Sequence, residues 1–320
     1  MDISEDALLG AIRKVLSGPG PEVRVGVGDD AAVVAPGTGD LVLTTDALVE
    51  GTHFTLPTTT ARDLGYKAIV VNLSDVAAMA ASPRYALCAL TLSPSVDAAW
   101  VMELFGGMRE ACDEYALWLV GGNLARGSEV TVGVTAVGEV APGRASTRSG
   151  AHPGDVLVVT GDLGAAAAGV RLAAHPPRAP SAEERAASRR LARPVARVGE
   201  AGVLAAHAAS AMIDVSDGLA LDLSRLCEAS GVGARLEVGA VPVAAAATVA
   251  EALGGGEDYE ILATLPDAAA ATAAADDLRE AFGVELTTIG TITGSGLVAL
   301  TPDGDESPLQ PTGWDHFRDV

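Results

Sequence analysis

The chain has 320 residues, with 21 Lys and Arg against 42 Asp and Glu, a formal net charge of -21. That sign argues against nucleic acid and against an anionic membrane surface as partners, because both attract basic faces. Hydrophobic residues reach 49% while aromatics are 3%, so the cores must rest on Ala, Val and Leu, and the length suits two domains.

Mean hydropathy is +0.31, yet no uninterrupted apolar run approaches the roughly 18 residues of a membrane span. The first fifteen or so residues, MDISEDALLGAIRKV, are acidic where a secretory leader is basic. A cytoplasmic protein is the expectation. Cys88, Cys112 and Cys227 are scattered with no CxxC pair, so neither a disulfide framework nor a zinc site is expected.

Residues 2–16 read as an amphipathic helix with Ser4 placed to cap it, and the GPGP at 18–21 stops it. Residues 23–27, 32–35 and 41–45 are β-branched runs that read as strands. Residues 62–81 read as a helix with a polar interruption that suits two pieces. A strand follows at 87–92, a helix at 97–115, a short strand at 118–120 and another strand at 130–140. Residues 141–155, APGRASTRSGAHPGD, lack apolar periodicity and mark a domain boundary. The two domains are set at 1–145 and 146–320. A second αβ unit opens with a strand at 156–160, then a loop and helix to 174 and a surface helix at 181–192. Alternating elements continue over 213–227, 251–265, 268–282 and 284–292. Mixed strands and helices in both halves predict two α/β or α+β domains without short repeats.

No GxxxxGK[ST], HExxH or GxSxG motif and no kinase HRD signature occurs. The glycines of GVGDDA at 26–31 resemble a dinucleotide loop. The adjoining AVVAP reads as a strand rather than the helix such a loop requires, and two aspartates would repel a pyrophosphate unless a cation stood between them. Aspartates recur at the ends of apolar strands: Asp29 and Asp30, Asp46, Asp75, Asp214 and Asp217. Hydroxyls lie beside them at Thr44, Thr45, Ser74 and Ser216. Hard cations such as Mg²⁺ take oxygen ligands and need only one or two carboxylates each. The alternative is that each Asp caps a following helix. Gly161-Asp162-Leu163-Gly164 follows a strand and opens an Ala-rich helix. It reads either as a helix start that holds an anion or as a tight, closely packed turn. Gly122 and Asn123 end the 118–120 strand in the same style. Arg148 reads as a phosphate contact or a solvated side chain. Trp314 and Phe317 stand out in a chain poor in aromatics, as a cover for a flat heterocycle or as a tail docked on the core.

Eight ordered segments carry a resemblance over almost the whole chain: GVGDDAAVV (26–34), TTDALVEGTHF (44–54), KAIVVNLSDVAAMAASP (67–83), LVGGN (119–123), GDVLVVTGDLGAAAAG (154–169), IDVSDGL (213–219), GGEDYEI (255–261) and GWDHF (313–317). Together they resemble the thiamine-monophosphate kinases. These belong to a superfamily with aminoimidazole ribonucleotide synthetase, selenophosphate synthetase and a hydrogenase maturation protein. The resemblance implies a two-domain aminoimidazole ribonucleotide synthetase-like architecture, an N-terminal mixed-sheet domain plus a C-terminal αβ domain, and a homodimer built through the first domains. It implies transfer of the ATP γ-phosphoryl group to thiamine monophosphate with several Mg²⁺ ions. By the same resemblance Asp30, Thr44, Thr45, Asp46, Asp75 and Asn123 would hold metal in the first domain, and Asp214 and Asp217 in the second. Gly122, Asn123, Arg148 and Ser216 would line the ATP site, and His53, Glu257 and Trp314 would contact the substrate. Asn123 stands where the family usually has a metal-binding Asp. The substitution predicts weaker Mg²⁺ binding there and leaves a non-catalytic nucleotide-binding homologue as an alternative. Another ATP-dependent superfamily member is the second alternative. Two anions must meet in such a transfer, and the matching segments hold few Lys or Arg, so carboxylate-held cations are the natural neutralisers. The acceptor phosphate is already ionised, so no general base is expected.

Overall fold

The computed structural model describes residues 5–16, 20–27 and 31–315. They form two compact units. The first takes the chain up to Val76 together with Ala81–Arg144, the second Ala77–Ala80 and the chain from Ala145 onward. Among the described residues no helix is long and apolar enough to cross a membrane.

The first unit contains, in chain order, α1 (Glu5–Leu16), β1 (Val23–Val25), β2 (Val33–Val34), β3 (Asp40–Val49), α2 (Ala61–Ala78), β4 (Ser82–Leu92), α3 (Ala98–Glu114), β5 (Trp118–Arg126) and β6 (Thr131–Val140). Ser4, the expected cap of α1, lies outside the described residues. Strands β1 and β2 form a small antiparallel pair. The main sheet has the order β3-β6-β4-β5, antiparallel except for the parallel β4–β5 pair. Period-2 alternation splits its residues. Val132, Val134 and Ala136 of β6 are buried, on the face toward α2, where the Val76 side chain abuts Gly138. The opposite face carries Leu43, Thr45, Thr135 and Leu87 in neighbouring registers. There Leu43 is 67% exposed and Leu87 41%.

Helix α2 is one continuous helix, not two pieces. Its polar residues find partners instead of breaking it. The buried Asn72 donates from Nδ2 to the Ala68 carbonyl one turn back at 3.0 Å, and Asp75 accepts from Thr44 Oγ1 at 2.6 Å. Asp97 caps α3 by accepting from the Trp100 N–H. Strand β5 runs six residues past its expected end at 120 (to Arg126), straight through the glycines. Gly122 permits this: a β-carbon there would stand 1.9 Å from the Cys88 carbonyl oxygen on β4.

The second unit contains β7 (Val156–Thr160), α4 (Ala165–Ala174), α5 (Ala182–Ala192), α6 (Val198–Ala206), β8 (Ala211–Val215), α7 (Leu219–Ser230), β9 (Gly233–Glu237), α8 (Val249–Gly254), β10 (Glu260–Leu265), α9 (Ala268–Phe282), β11 (Leu286–Thr293), β12 (Leu297–Leu300) and β13 (Glu306–Pro308). Its sheet has the order β13-β12-β9-β11-β7-β10-β8, antiparallel except between β9 and β12. Helices cover both faces, which explains why β7, β8 and β10 are buried along almost their whole length. Leu157, Val159, Ile213 and Leu262 pack with Leu219, Leu223 and Leu226 of α7. Val158, Met212 and Ile261 pack with Leu204 of α6 and Leu278 of α9. The expected mixed α/β class in both halves is what the molecule shows.

Candidate active site

In the first unit, β3 and α2 bring one group together. Thr44 and Asp46 share the helix-covered face of β3 by alternation. Thr44 Oγ1 donates to Asp75 Oδ2 at 2.6 Å, and the Asp46 N–H donates to Asn72 Oδ1 at 3.0 Å. Thr45 lies on the other face, where its Oγ1 accepts from Thr135 at 3.1 Å and donates to the Val134 carbonyl at 3.0 Å. Asn123 pairs with Ala89, itself opposite Gly133. It therefore belongs to the open face with Thr45, three strand spacings away, about 14 Å. The expected first-domain ligands thus divide between two faces of one sheet. His53 follows β3 in a turn in which its Nδ1 accepts from the Val49 N–H at 3.0 Å. A neutral ring held in that way carries its proton on Nε2, a donor suited to an anion. Asp30 lies outside the described residues.

In the second unit the loop after β8 is the centre. Asp214 is buried on β8, opposite Ile261. Ser216 and Asp217 follow. The loop is held by a residue that the sequence did not single out. Asp222, buried in the first turn of α7, accepts the N–H groups of Ser216, Asp217 and Gly218 on Oδ2 at 3.1, 3.0 and 3.1 Å. Burial raises the Asp222 carboxyl above its ordinary value, against the pull of those donors and of Arg225. Arg225 Nη1 donates at 2.6 Å to both Asp222 and Asp217. Two further segments tie onto this loop. The Glu257 N–H donates to the Ser216 carbonyl at 2.7 Å, and the Trp314 N–H to the Asp217 carbonyl at 2.9 Å. The Trp314 ring remains 39% exposed, so the tail backbone is docked while the ring is not sunk into the core. Phe317 lies outside the described residues. Arg148 is exposed in the segment that pairs with β8. Its carbonyl accepts from Ser230 Oγ at 2.9 Å, and the neighbouring Thr147 carbonyl accepts from the Met212 N–H.

The helix-cap alternative does not hold for the aspartates that the structure describes. Asp46 sits within a strand, Asp75 within a helix and Asp214 within a strand, so none of these caps a helix start. Asp217 precedes α7, but its carboxylate engages Arg225. Capping is done elsewhere. Asp258, buried beside β10, accepts the Gly164 N–H at 2.6 Å and the Ala166 N–H at 3.3 Å. The start of α4, where the sequence left an anion site open, therefore already holds the protein's own carboxylate. The turn before it is closely packed: Gly161 has φ +61°, and a β-carbon there would meet the Glu260 carboxylate at 2.5 Å. Glu260 is itself fully buried, accepting Arg197 Nε and Nη2 at 2.7 Å each, Thr160 Oγ1 at 2.7 Å, and Arg190. The three cysteines are buried with their thiols pushed up, Cys88 and Cys112 to about 12 and Cys227 to about 11, which leaves them un-ionised.

Among the described residues, no three His, Cys, Asp or Glu side chains converge into a ready-made metal cage. The donors present are hard oxygens in ones and twos: Thr44 with Asp75, and Asp214 and Asp217 around one strand end. Such sets suit Mg²⁺, which keeps waters and shares its shell with substrate phosphates. They would not suit a soft metal.

The chain, with its two mixed units, is matched by the AIR synthase related proteins. Their N-terminal domain model matches residues 28–140 and their C-terminal domain model residues 152–302. Thiamine-monophosphate kinase of Escherichia coli strain K12 is 39% identical over 92% of this chain and 93% of that one. The crystal structure of thiamine-monophosphate kinase from Stenotrophomonas maltophilia K279a superposes with a TM-score of 0.84 at 34% identity, covering 96% of this chain and 99% of that one. A structure of AaThiL complexed with AMPPCP and TMP gives 0.77 at 32% identity, covering 99% of each chain. The chain belongs to the thiamine-monophosphate kinase family, and it is a kinase.

Proposed function

We propose that this protein transfers the γ-phosphoryl group of ATP to thiamine monophosphate, giving thiamine diphosphate and ADP, by direct in-line displacement with Mg²⁺ present. The observation that carries the reading is the junction in the second unit, where the Glu257 and Trp314 segments both hydrogen-bond to the Ser216–Asp217 loop. One loop thus links an acidic and hydroxyl-bearing group for ATP and metal to an exposed indole and a carboxylate for the thiamine ester. A similar protein, the AaThiL of the complex, is seen with AMPPCP and TMP.

Mg²⁺, when bound, would neutralise phosphate oxygens and so lower the repulsion between the two anions. Asp30, Thr44, Thr45, Asp46, Asp75 and Asn123 would hold it in the first unit, Asp214 and Asp217 in the second. Side chains on opposite faces of β3 cannot share an ion, so more than one ion is required. Gly122, Asn123, Arg148 and Ser216 would line the ATP site. Trp314 offers a flat face for a thiamine ring, while His53 and Glu257 complete the substrate contacts. The acceptor oxygen is ionised at neutral pH, so these residues position and shield charge, and no base removes a proton. The N-terminal domain, 1–145, serves metal and nucleotide binding and dimerisation. The C-terminal domain, 146–320, contributes to the nucleotide and substrate sites. The open sheet face with Leu41, Leu43 and Leu87 supports a homodimer, since exposed leucines on a broad face favour association. A cytoplasmic location fits the buried, un-ionised thiols.

Asn123 favours one other reading, a homologue that binds nucleotide without turnover. ADP release measured with and without thiamine monophosphate separates the two. Release only with the acceptor supports the kinase reaction. Nucleotide binding without release, at saturating Mg²⁺, refutes it.

A further inference from the structure

The turn between α8 and β10 is the most strained stretch of backbone near the proposed site. Glu257 has φ +70° and Tyr259 φ +54°, two left-handed residues that carry β-carbons, with Asp258 between them. Such a conformation persists only where the surroundings over-determine it. Here the surroundings are identifiable. The Glu257 N–H donates to the Ser216 carbonyl and the Tyr259 N–H to the Val215 carbonyl at 2.8 Å, so the backbone on both sides is pinned to the end of β8. The third anchor is the Asp258 side chain, which reaches α4, 92 and 94 residues away, and accepts the first N–H groups of that helix. Helix α4 has no side-chain cap of its own, because its N-cap is Gly164. The carboxyl group of Asp258 takes that place, its two oxygens accepting the Gly164 and Ala166 N–H groups.

We propose that Asp258 is a positioning residue: by capping α4 it locks the 257–259 turn in its left-handed form and so fixes the direction in which Glu257 meets the thiamine ester. This rests on Glu257 being a substrate contact. Asp258 itself does not touch substrate in this proposal. Its removal would loosen Glu257 while leaving the Asp222-held loop and its nucleotide groups in place.

The test is a double-mutant cycle with steady-state kinetics for both substrates. Asp258→Asn is nearly isosteric but turns an amide NH₂ toward a backbone donor. It is expected to raise KM for thiamine monophosphate about tenfold while KM for ATP stays within about twofold. In the Glu257→Gln background the same change is expected to add less than about twofold, although the loss of thermal stability is the same in both backgrounds. Parallel rises in both KM values, no rise in either, or an undiminished effect in the Glu257→Gln background each overturn the proposal, because a purely structural cap gives one of these patterns. If Asp258→Asn does not fold, Asp258→Ser, which keeps one neutral acceptor, is read in the same way. Failure of the underlying reading looks different: Glu257→Gln alone then leaves KM for thiamine monophosphate unchanged.

Discussion

Removing the Asp222 carboxylate tests how the second half of the site is built. One oxygen of that group accepts three consecutive loop N–H groups, and the other accepts Arg225. A hydrogen bond to a charged group contributes about 1.5–3 kcal/mol, and breaking a buried ion pair costs about 3–5 kcal/mol. These do not add in full. The Arg225 side chain is 36% exposed, so water takes up its freed end and the ionic part shrinks. Asp222→Ala is therefore expected to cost about 3 kcal/mol, and Asp222→Asn, which keeps one acceptor, about 1–2 kcal/mol. For a unit of this size that loss corresponds to a melting shift of roughly 6–12 °C for the alanine variant. Urea unfolding followed by far-UV circular dichroism gives the free energy, and calorimetric titration with a non-hydrolysable ATP analogue gives the functional consequence. Both should fall together, since Ser216 and Asp217 lose their scaffold. A cost below about 1 kcal/mol for Asp222→Ala would refute the reasoning, as would intact nucleotide affinity in a clearly destabilised variant.

Four further outcomes are expected. Gly122→Ala must push its β-carbon away from the Cys88 carbonyl, now at 1.9 Å. Because neither backbone can yield cheaply, a loss of about 1–3 kcal/mol is expected in thermal unfolding. Asp258 has its carboxyl raised from 3.8 to about 7, chiefly by burial. The folded state therefore binds that proton more tightly than the unfolded chain. The resulting stabilisation is full below about pH 4 and is lost as pH rises through about 7, so the advantage of wild type over Asp258→Asn in urea unfolding should shrink across that window. Asn123→Asp adds one negative charge on the open face and should lower the Mg²⁺ concentration for half-maximal rate; an unchanged Mg²⁺ dependence contradicts a ligand role for Asn123. Leu43→Lys places a charge in the middle of the exposed sheet face and should yield a monomer by light scattering if that face joins two copies.

Several elements were readable because their signals are local. The 156–160 strand is an apolar run between turn residues, and α5 carries a Ser181–Glu184 capping box. The end of β5 was not readable, because Gly121 and Gly122 look like punctuation. Only the closeness of the Cys88 backbone explains why glycine continues a strand there. The unity of α2 was hidden for a related reason: Asn72 and Asp75 look like breakers until their partners on β3 are seen. Spacing suggested that the aspartates form sites, and strand alternation sets Thr44 and Thr45 on opposite faces, yet neither could tell which of the two faces α2. Asp222 did leave a trace, an Asp in the first turn of a helix behind Ser-Asp-Gly. Asp258 left none that chain order could show, since the N–H groups it accepts lie more than ninety residues earlier.

The N–H groups at the head of α4 and in the turn before α7 are of the kind that can hold an anion. Here both are filled by the chain's own acids. Under the proposed reaction, an incoming nucleotide would find these amides already occupied, and counter-ions would have to screen its phosphates from the acids around it. On that reading, catalytic competence would follow the free divalent concentration of the surroundings.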